Sequence, residues 1–172
     1  MNGSNVEIVA QIIGIVAATI NILSFQCKKN RHLFVLIGIG SLLFAVNFLL
    51  LGAYASAIYN IISIIRSSLA LSNKTFNKKS FFFLCVLYVA GLVFAYDNLW
   101  SIVLFVAQIV QTYAMWFMTG SGIRKSQYYF VSPVWIINNI IVFSIGGILC
   151  ELFMMTSAFI SYLRFRKSGF EK

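Results

Sequence analysis

Seven long apolar runs follow one another along this chain, separated by short polar connections. They lie at approximately Val9–Gln26, Leu33–Leu51, Tyr54–Leu71, Phe81–Tyr96, Leu99–Met118, Tyr128–Phe143 and Ile148–Leu163. Their lengths reach or approach the ~17–25 residues that cross the hydrocarbon core of a bilayer. In hydrocarbon every backbone N–H and C=O must bond internally, so a spanning chain is either helical or a closed barrel. The runs are continuous and do not alternate, which selects helices. Residues 1–172 therefore read as one transmembrane domain, an all-α membrane protein with seven transmembrane helices. Composition agrees: 60% of residues are hydrophobic and 10% charged, against about 25% charged in a soluble domain.

The charges give the helices a direction. Alternate connections fall on opposite sides of a seven-span bundle. One side receives Lys28, Lys29, Arg31, Lys74, Lys78, Lys79, Arg124, Lys125, Arg164, Arg166, Lys167 and Lys172, with Arg66 near the same end of the third span. The other side receives Glu7 and Asp97 and no Lys or Arg. Basic residues near span ends mark the cytoplasmic face, so the N-terminus is expected outside and the C-terminus inside. A count wrong by one span would scatter the basic residues over both faces. The net charge of +9 then follows from topology and anionic lipid, and the expected partner is the lipid bilayer rather than nucleic acid. The first run lacks a preceding basic segment and is followed by further spans, so it is expected to be a span and not a cleaved signal peptide.

Cys27, Cys85 and Cys150 show neither CxxC nor metal-ligand spacing and read as free thiols. No cofactor or metal motif is present. HExxH, Gly-x-Ser-x-Gly and P-loop patterns are absent, and the sole histidine, His32, sits in a basic connection. The chain is therefore not expected to be an enzyme.

A weak internal repeat runs through the spans. Phe44-Ala-Val-Asn47 with Asn60 following matches Trp135-Ile-Ile-Asn138 with Glu151 following, at the same spacings. The first and fifth spans also share an Ala-Gln pair, Ala10-Gln11 and Ala107-Gln108. The reading is a 3+1+3 arrangement: a three-helix repeat over 9–71, a linker helix over 81–96 and a second repeat over 99–163. Such repeats would be parallel, related by an axis along the membrane normal.

On these residues the chain resembles the YgjV-type bacterial inner-membrane proteins. The segments carrying the resemblance are Gly14 to Ala18, Ser24-Phe25-Gln26-Cys27-Lys28-Lys29-Asn30, Phe44 to Tyr54, Ile58 to Arg66, and the set Trp135, Asn138 and Glu151. The resemblance implies a bacterial inner (plasma) membrane location with multiple passes, and no particular activity. More distantly the layout is similar to the SWEET, SemiSWEET and PQ-loop transporters, which implies an outside N-terminus and a central pocket. In their sugar carriers an aromatic residue on the second helix of each repeat and a polar residue on the third line that pocket. Those positions are Phe44 with Asn60 and Trp135 with Glu151 here. Ser24-Phe25-Gln26 resembles the end of the Pro-Gln motif with Phe25 in place of proline. The only proline is Pro133, so Ser24, Phe25, Gln26 and Pro133 are the hinge or gate candidates.

Several residues are unusual for a membrane interior. Glu151 lies inside the last span, where a charge is expensive and usually functional. Burial there favours the neutral acid, which suits proton coupling or recognition of a cationic or hydroxylated ligand. The alternative is an outer-interface residue that reaches water. Asn47, Asn60, Asn138 and Asn139 can line a pocket or bond between helices at ~1 kcal/mol each. Trp135 can be a stacking plate, lipid-facing bulk or packing beside Pro133, and Phe44 a plate or a core residue. Arg66 reads as an inner anchor that snorkels. Ala10, Gly14 and Ala18 recur every four residues, a spacing that permits close helix packing. Two functions follow. The first is a small SWEET/PQ-loop-like transporter whose substrate-binding residues are Phe44, Asn47, Asn60, Trp135, Asn138 and Glu151, for a small polar solute of which sugars are one class. The second is a non-transporting scaffold or partner-binding protein. A central cavity lined from both halves favours the first; a dry bundle with those groups bonded to each other favours the second.

Overall fold

The computed structural model describes residues 3–24, 30–72 and 77–167. These residues are almost wholly helical. The helices are α1 (Gly3–Ser24), α2 (Asn30–Leu50), α3 (Tyr54–Ser72), α4 (Lys78–Ala95), α5 (Leu99–Phe117), α6 (Gly120–Ser126), α7 (Ser132–Ile141) and α8 (Ile145–Lys167). A π-helical turn, Gln127–Val131, joins α6 to α7 without a break in helical dihedrals. There are thus seven helical rods. Asn77 caps α4 by accepting from Ser80 N at 2.7 Å, and Asn98 caps α5 by accepting from Trp100 N at 2.8 Å.

Among the described residues, three helical stretches are long and apolar enough to cross a membrane: Asn5–Ser24, Lys78–Ala95 and Leu99–Phe117. Val35–Leu50 and Ile145–Ile160 are shorter apolar helices. The distribution of side chains fits a lipid environment. Phe94, Phe143, Leu99 and Val93 point outward and are more than 70% exposed, while Ser24, Asn47, Thr112, Ser132 and Ser144 are fully buried. Water would favour the reverse placement.

Two of the interhelical turns share one geometry. At the end of α2, Gly52 takes a positive φ of 75°, Gly52 N bonds Leu49 O at 3.2 Å and Ala53 N bonds Phe48 O at 2.8 Å. At the end of α7, Phe143 takes a φ of 54°, Phe143 N bonds Ile140 O at 3.2 Å and Ser144 N bonds Asn139 O at 2.8 Å. Both are Schellman closures. The second turn therefore lies at Val142–Ser144, one turn ahead of Gly146-Gly147, where the sequence placed the connection. Those glycines belong to the start of α8 for a packing reason. A Cβ on Gly146 would overlap the Gly14 backbone, and one on Gly147 would overlap the Asn139 side chain. The α1 stripe of Ala10, Gly14 and Ala18 is thus a site of close helix approach.

The sixth rod also differs from expectation. Its apolar run begins at Tyr128, yet helix begins at Gly120 and carries Arg124 and Lys125. Pro133 has no N–H to offer, and the turn before it widens so that Ser132 N bonds Gln127 O, five residues back. The hinge candidate Pro133 thus sits directly after a π turn, a common way of bending or rotating a helix.

Each rod packs on its neighbours to form a ring. α1 lies against α2, α2 against α3, α3 against α5, α5 against the α6–π–α7 rod, that rod against α8, and α8 against α1. α4 covers α3 and α5 from outside. Tyr59 stacks edge-on against Tyr88 at 6.1 Å, and Trp116 Nε1 donates to Ser80 Oγ at 3.0 Å, fixing that cover.

Candidate functional site

The ring encloses a cavity of about 440 Å³ with walls from every rod except α4. That volume lies in the roughly 300–1,000 Å³ range of small-molecule sites. Its apolar wall is aromatic. Phe44 stacks on Phe48 at 6.0 Å, and Phe48 lies 6.0 Å from Trp135.

One polar wall is built on Glu151. Gln127 Nε2, from the π turn, donates to Ser132 Oγ at 2.8 Å, and Ser132 Oγ donates to Glu151 Oε2 at 2.7 Å. The bonds all run toward the carboxyl, which holds Glu151 inside the ring. Asn60 faces the same space, its Nδ2 bonded to Ser56 O at 2.9 Å and its Oδ1 left open.

A second polar wall is built on Arg66. The residue is 6% exposed. Nη1 donates to Gln111 Oε1 at 3.0 Å, Gln108 Oε1 at 3.3 Å and Thr112 Oγ1 at 3.4 Å, and Nη2 donates to Ser63 Oγ at 3.2 Å. Arg66 is therefore not a snorkelling anchor. Its helix turns it inward, where α5 presents Gln108, Gln111 and Thr112 on one face at i, i+3 and i+4.

The structure brings together four of the six sequence-chosen binding residues: Phe44, Asn60, Trp135 and Glu151 all line the cavity. Asn47 and Asn138 do not. Asn47 is fully buried, its Nδ2 bonded to Ala10 O at 2.7 Å and its Oδ1 to Ser144 Oγ at 2.8 Å. Asn138 Nδ2 donates to Ser56 Oγ at 3.0 Å. Both face helix contacts because neighbouring residues on a helix point about 100° apart, so Asn139 faces the cavity while Asn138 turns away. Ser24 is buried and donates to Asn21 O at 2.6 Å. Phe25 and Gln26 lie outside the described residues. Polar cavity residues that the sequence reading missed include Arg66, Gln108, Gln111, Gln127 and Asn21. The signal available for the first three was a cation and two glutamines inside apolar runs.

A second cavity of about 430 Å³ opens nearer the Gly52 and Asp97 turns, lined among others by Ser56, Asp97, Asn98, Ser101 and Asn138. Ser56 and Asn138 each sit one helical turn beyond a residue of the first cavity, Asn60 and Trp135. The Ser56–Asn138 hydrogen bond lies between the two spaces. Among the described residues, no three His, Cys, Asp or Glu side chains gather as metal ligands would.

Comparison with known proteins places the chain. Residues 8–169 match the Imp-YgjV family, described as bacterial inner membrane protein. No curated protein and no solved structure matches it. The match covers nearly the whole chain, which therefore belongs to this family of bacterial inner membrane proteins.

Proposed function

We propose that this family member is a small transporter that carries a small polar solute through the space enclosed by its ring of helices. The observation that carries the reading is the central cavity, lined from α1–α3 on one side and α5–α8 on the other and holding Arg66 and Glu151. Ionisable side chains in a membrane interior usually mark a substrate or ion pathway. The second cavity supports the same reading. Two spaces on either side of a thin partition, Ser56 bonded to Asn138 above the Phe48 and Trp135 rings, are what an alternating-access carrier needs.

In this reading all seven rods span the membrane in a 3+1+3 plan, with α4 as the linker, the N-terminus outside and the C-terminus cytoplasmic. The repeated turn geometry supports it. Gly52 and Phe143 stand 91 residues apart, the offset that also separates Phe44 from Trp135 and Asn60 from Glu151. Both ring junctions between the halves, α1 on α8 and α3 on α5, join a first helix of one half to a third helix of the other. A two-fold relation would produce that pairing. The scaffold reading draws on Asn47 and Asn138, which do bond within the bundle, but leaves the lined cavity unused.

The test is a stabilisation screen of the purified protein against small polar metabolites, followed by uptake into liposomes. A ligand that binds the folded state raises apparent stability by mass action. Stabilising solutes that also accumulate in proteoliposomes establish transport. Binding without any flux, over both pH and membrane-potential gradients, would return the protein to the scaffold class.

A further inference from the structure

The cavity is chemically lopsided. Around Arg66 hydrogen-bond donors are in surplus. A guanidinium carries five N–H donors, and all four bonds it makes go to neutral oxygens at 3.0–3.4 Å. Gln108 and Gln111 turn their carbonyl oxygens to Arg66, so their amide N–H groups are left over, bonding no described residue. At Glu151 and Asn60, which line the same cavity, acceptors are in surplus. Glu151 receives from Ser132 on Oε2 and bonds no described residue through Oε1, and Asn60 offers its Oδ1. Among the described residues Glu151 is the only carboxylate in the cavity wall, and it is engaged with Ser132 and not with Arg66.

A buried cation held only by neutral groups is unstable in a low-dielectric interior unless a counter-charge joins it. No described side chain supplies one. We propose that Arg66, with Gln108 and Gln111, forms an oxyanion subsite, and that the solute carries a carboxylate or phosphate group seated there. Its other end bears a donor, hydroxyl or ammonium, facing Glu151 and Asn60. The planar guanidinium suits such groups because they accept two parallel N–H bonds. This inference rests on the reading of the cavity as a solute site and narrows the solute to a small organic oxyanion.

The test uses the full chain in detergent, with thermal stability and calorimetric binding as readouts. The probes are lactate, glycine, glycerol 3-phosphate and inorganic phosphate, with glycerol and sodium chloride at equal ionic strength as controls. At least one oxyanion probe should stabilise the protein where the controls do not. Arg66→Gln should weaken its binding at least tenfold. Gln111→Glu places a carboxylate within reach of Arg66, so it should fold as well as the parent and abolish oxyanion binding. That second variant decides the matter if Arg66→Gln does not fold. Stabilisation no greater than that by chloride, or undiminished binding by Gln111→Glu, overturns the subsite. The oxyanion could also belong to a lipid headgroup. Native mass spectrometry from phosphatidylglycerol nanodiscs separates the sources: a retained lipid that Gln111→Glu releases identifies the headgroup, whereas displacement by a soluble probe identifies a free solute. The outcomes also separate this inference from transport. Oxyanion binding without flux leaves the subsite standing and removes the carrier, whereas flux of a neutral solute with no oxyanion binding does the reverse.

Discussion

Ser144 Oγ donates to Asn47 Oδ1 across 2.8 Å, tying the last turn of α2 to the turn that precedes α8. Asn47 completes the tie by donating to Ala10 O of α1 at 2.7 Å. One amide therefore holds three segments that are far apart in sequence, at the point where the ring closes. Removing it leaves the buried Ser144 O–H without an acceptor and takes one donor from Ala10 O, which costs about 1–3 kcal/mol. Asn47→Ala should lower the thermal midpoint accordingly and leave solute affinity unchanged at temperatures where the protein is folded. An unaltered midpoint would mean that the tie contributes nothing.

The α1–α8 contact depends on missing side chains. Gly146→Ala places a methyl group into the Gly14 backbone, and the two helices must separate to admit it. Overpacking of this kind costs about 1–3 kcal/mol. Gly38→Ala is the matched control, because a Cβ there meets nothing within 4 Å. Removing a helical glycine should stabilise by about 0.5–1 kcal/mol. Opposite shifts of the two variants in one unfolding assay are expected; like shifts would contradict the crossing.

Phe143 occupies a left-handed position that its counterpart Gly52 occupies freely. The conformation costs a non-glycine residue about 1–2 kcal/mol, and the residue is 78% exposed, so little packing offsets it. Gln11 bonds the Phe143 carbonyl and accepts from Ile145 N, holding the turn through backbone atoms alone. Phe143→Gly should therefore be neutral to stabilising, by up to about 1 kcal/mol. A clear destabilisation would show that the ring has a partner in the membrane.

The seven helical rods were legible because a long continuous apolar run that does not alternate reads as helix. The exact starts were not. Gly146-Gly147 read as a turn because glycine is a turn residue, whereas here its value is the absence of a side chain. The sixth rod began eight residues early because helix in the charged stretch Gly120–Ser126 leaves no apolar signature. Four residues that line the cavity were chosen from the repeat spacing together with the resemblance to the SWEET-type pocket: Phe44, Asn60, Trp135 and Glu151. Asn47 and Asn138 met the repeat spacing too and failed, since spacing fixes a residue's height and not which neighbour its face meets. Arg66 was assigned to an interface by its nearness to the basic end of α3. Only the partner helix α5, with its three polar residues on one face, shows why it turns inward.

The proposed topology can be read with reporter fusions. Fusions after Asn30, Lys78 and Arg124 should report cytoplasmic, and those near Gly52 and Asp97 external. The Arg124 site is the most demanding of the five. It lies inside a helix and not in a loop, so its reporter must tolerate displacing that turn. One clear reversal would break the seven-span plan.

Glu151 is the residue on which the transport reading is most exposed. Its carboxyl is oriented by a relay, Gln127 to Ser132 to Glu151, whose first member belongs to the π turn. The hinge-like segment ahead of Pro133 and the acidic wall are therefore one mechanical unit, and a change at either should be felt at the other. Glu151→Gln keeps the shape and can still accept from Ser132. If Glu151 exchanges protons with the solute, that variant should retain binding but lose the pH dependence of uptake. If Glu151 contacts the solute directly, Glu151→Ala should weaken binding more than tenfold, ~1.4 kcal/mol. Ser132→Ala separates orientation from contact. It leaves the carboxyl in place without its donor, so it should reduce affinity by less than Glu151→Ala while altering uptake rate. Unchanged binding and uptake in Glu151→Ala, measured with a solute that the parent protein transports, would remove Glu151 from the pathway and with it the acceptor pole of the cavity.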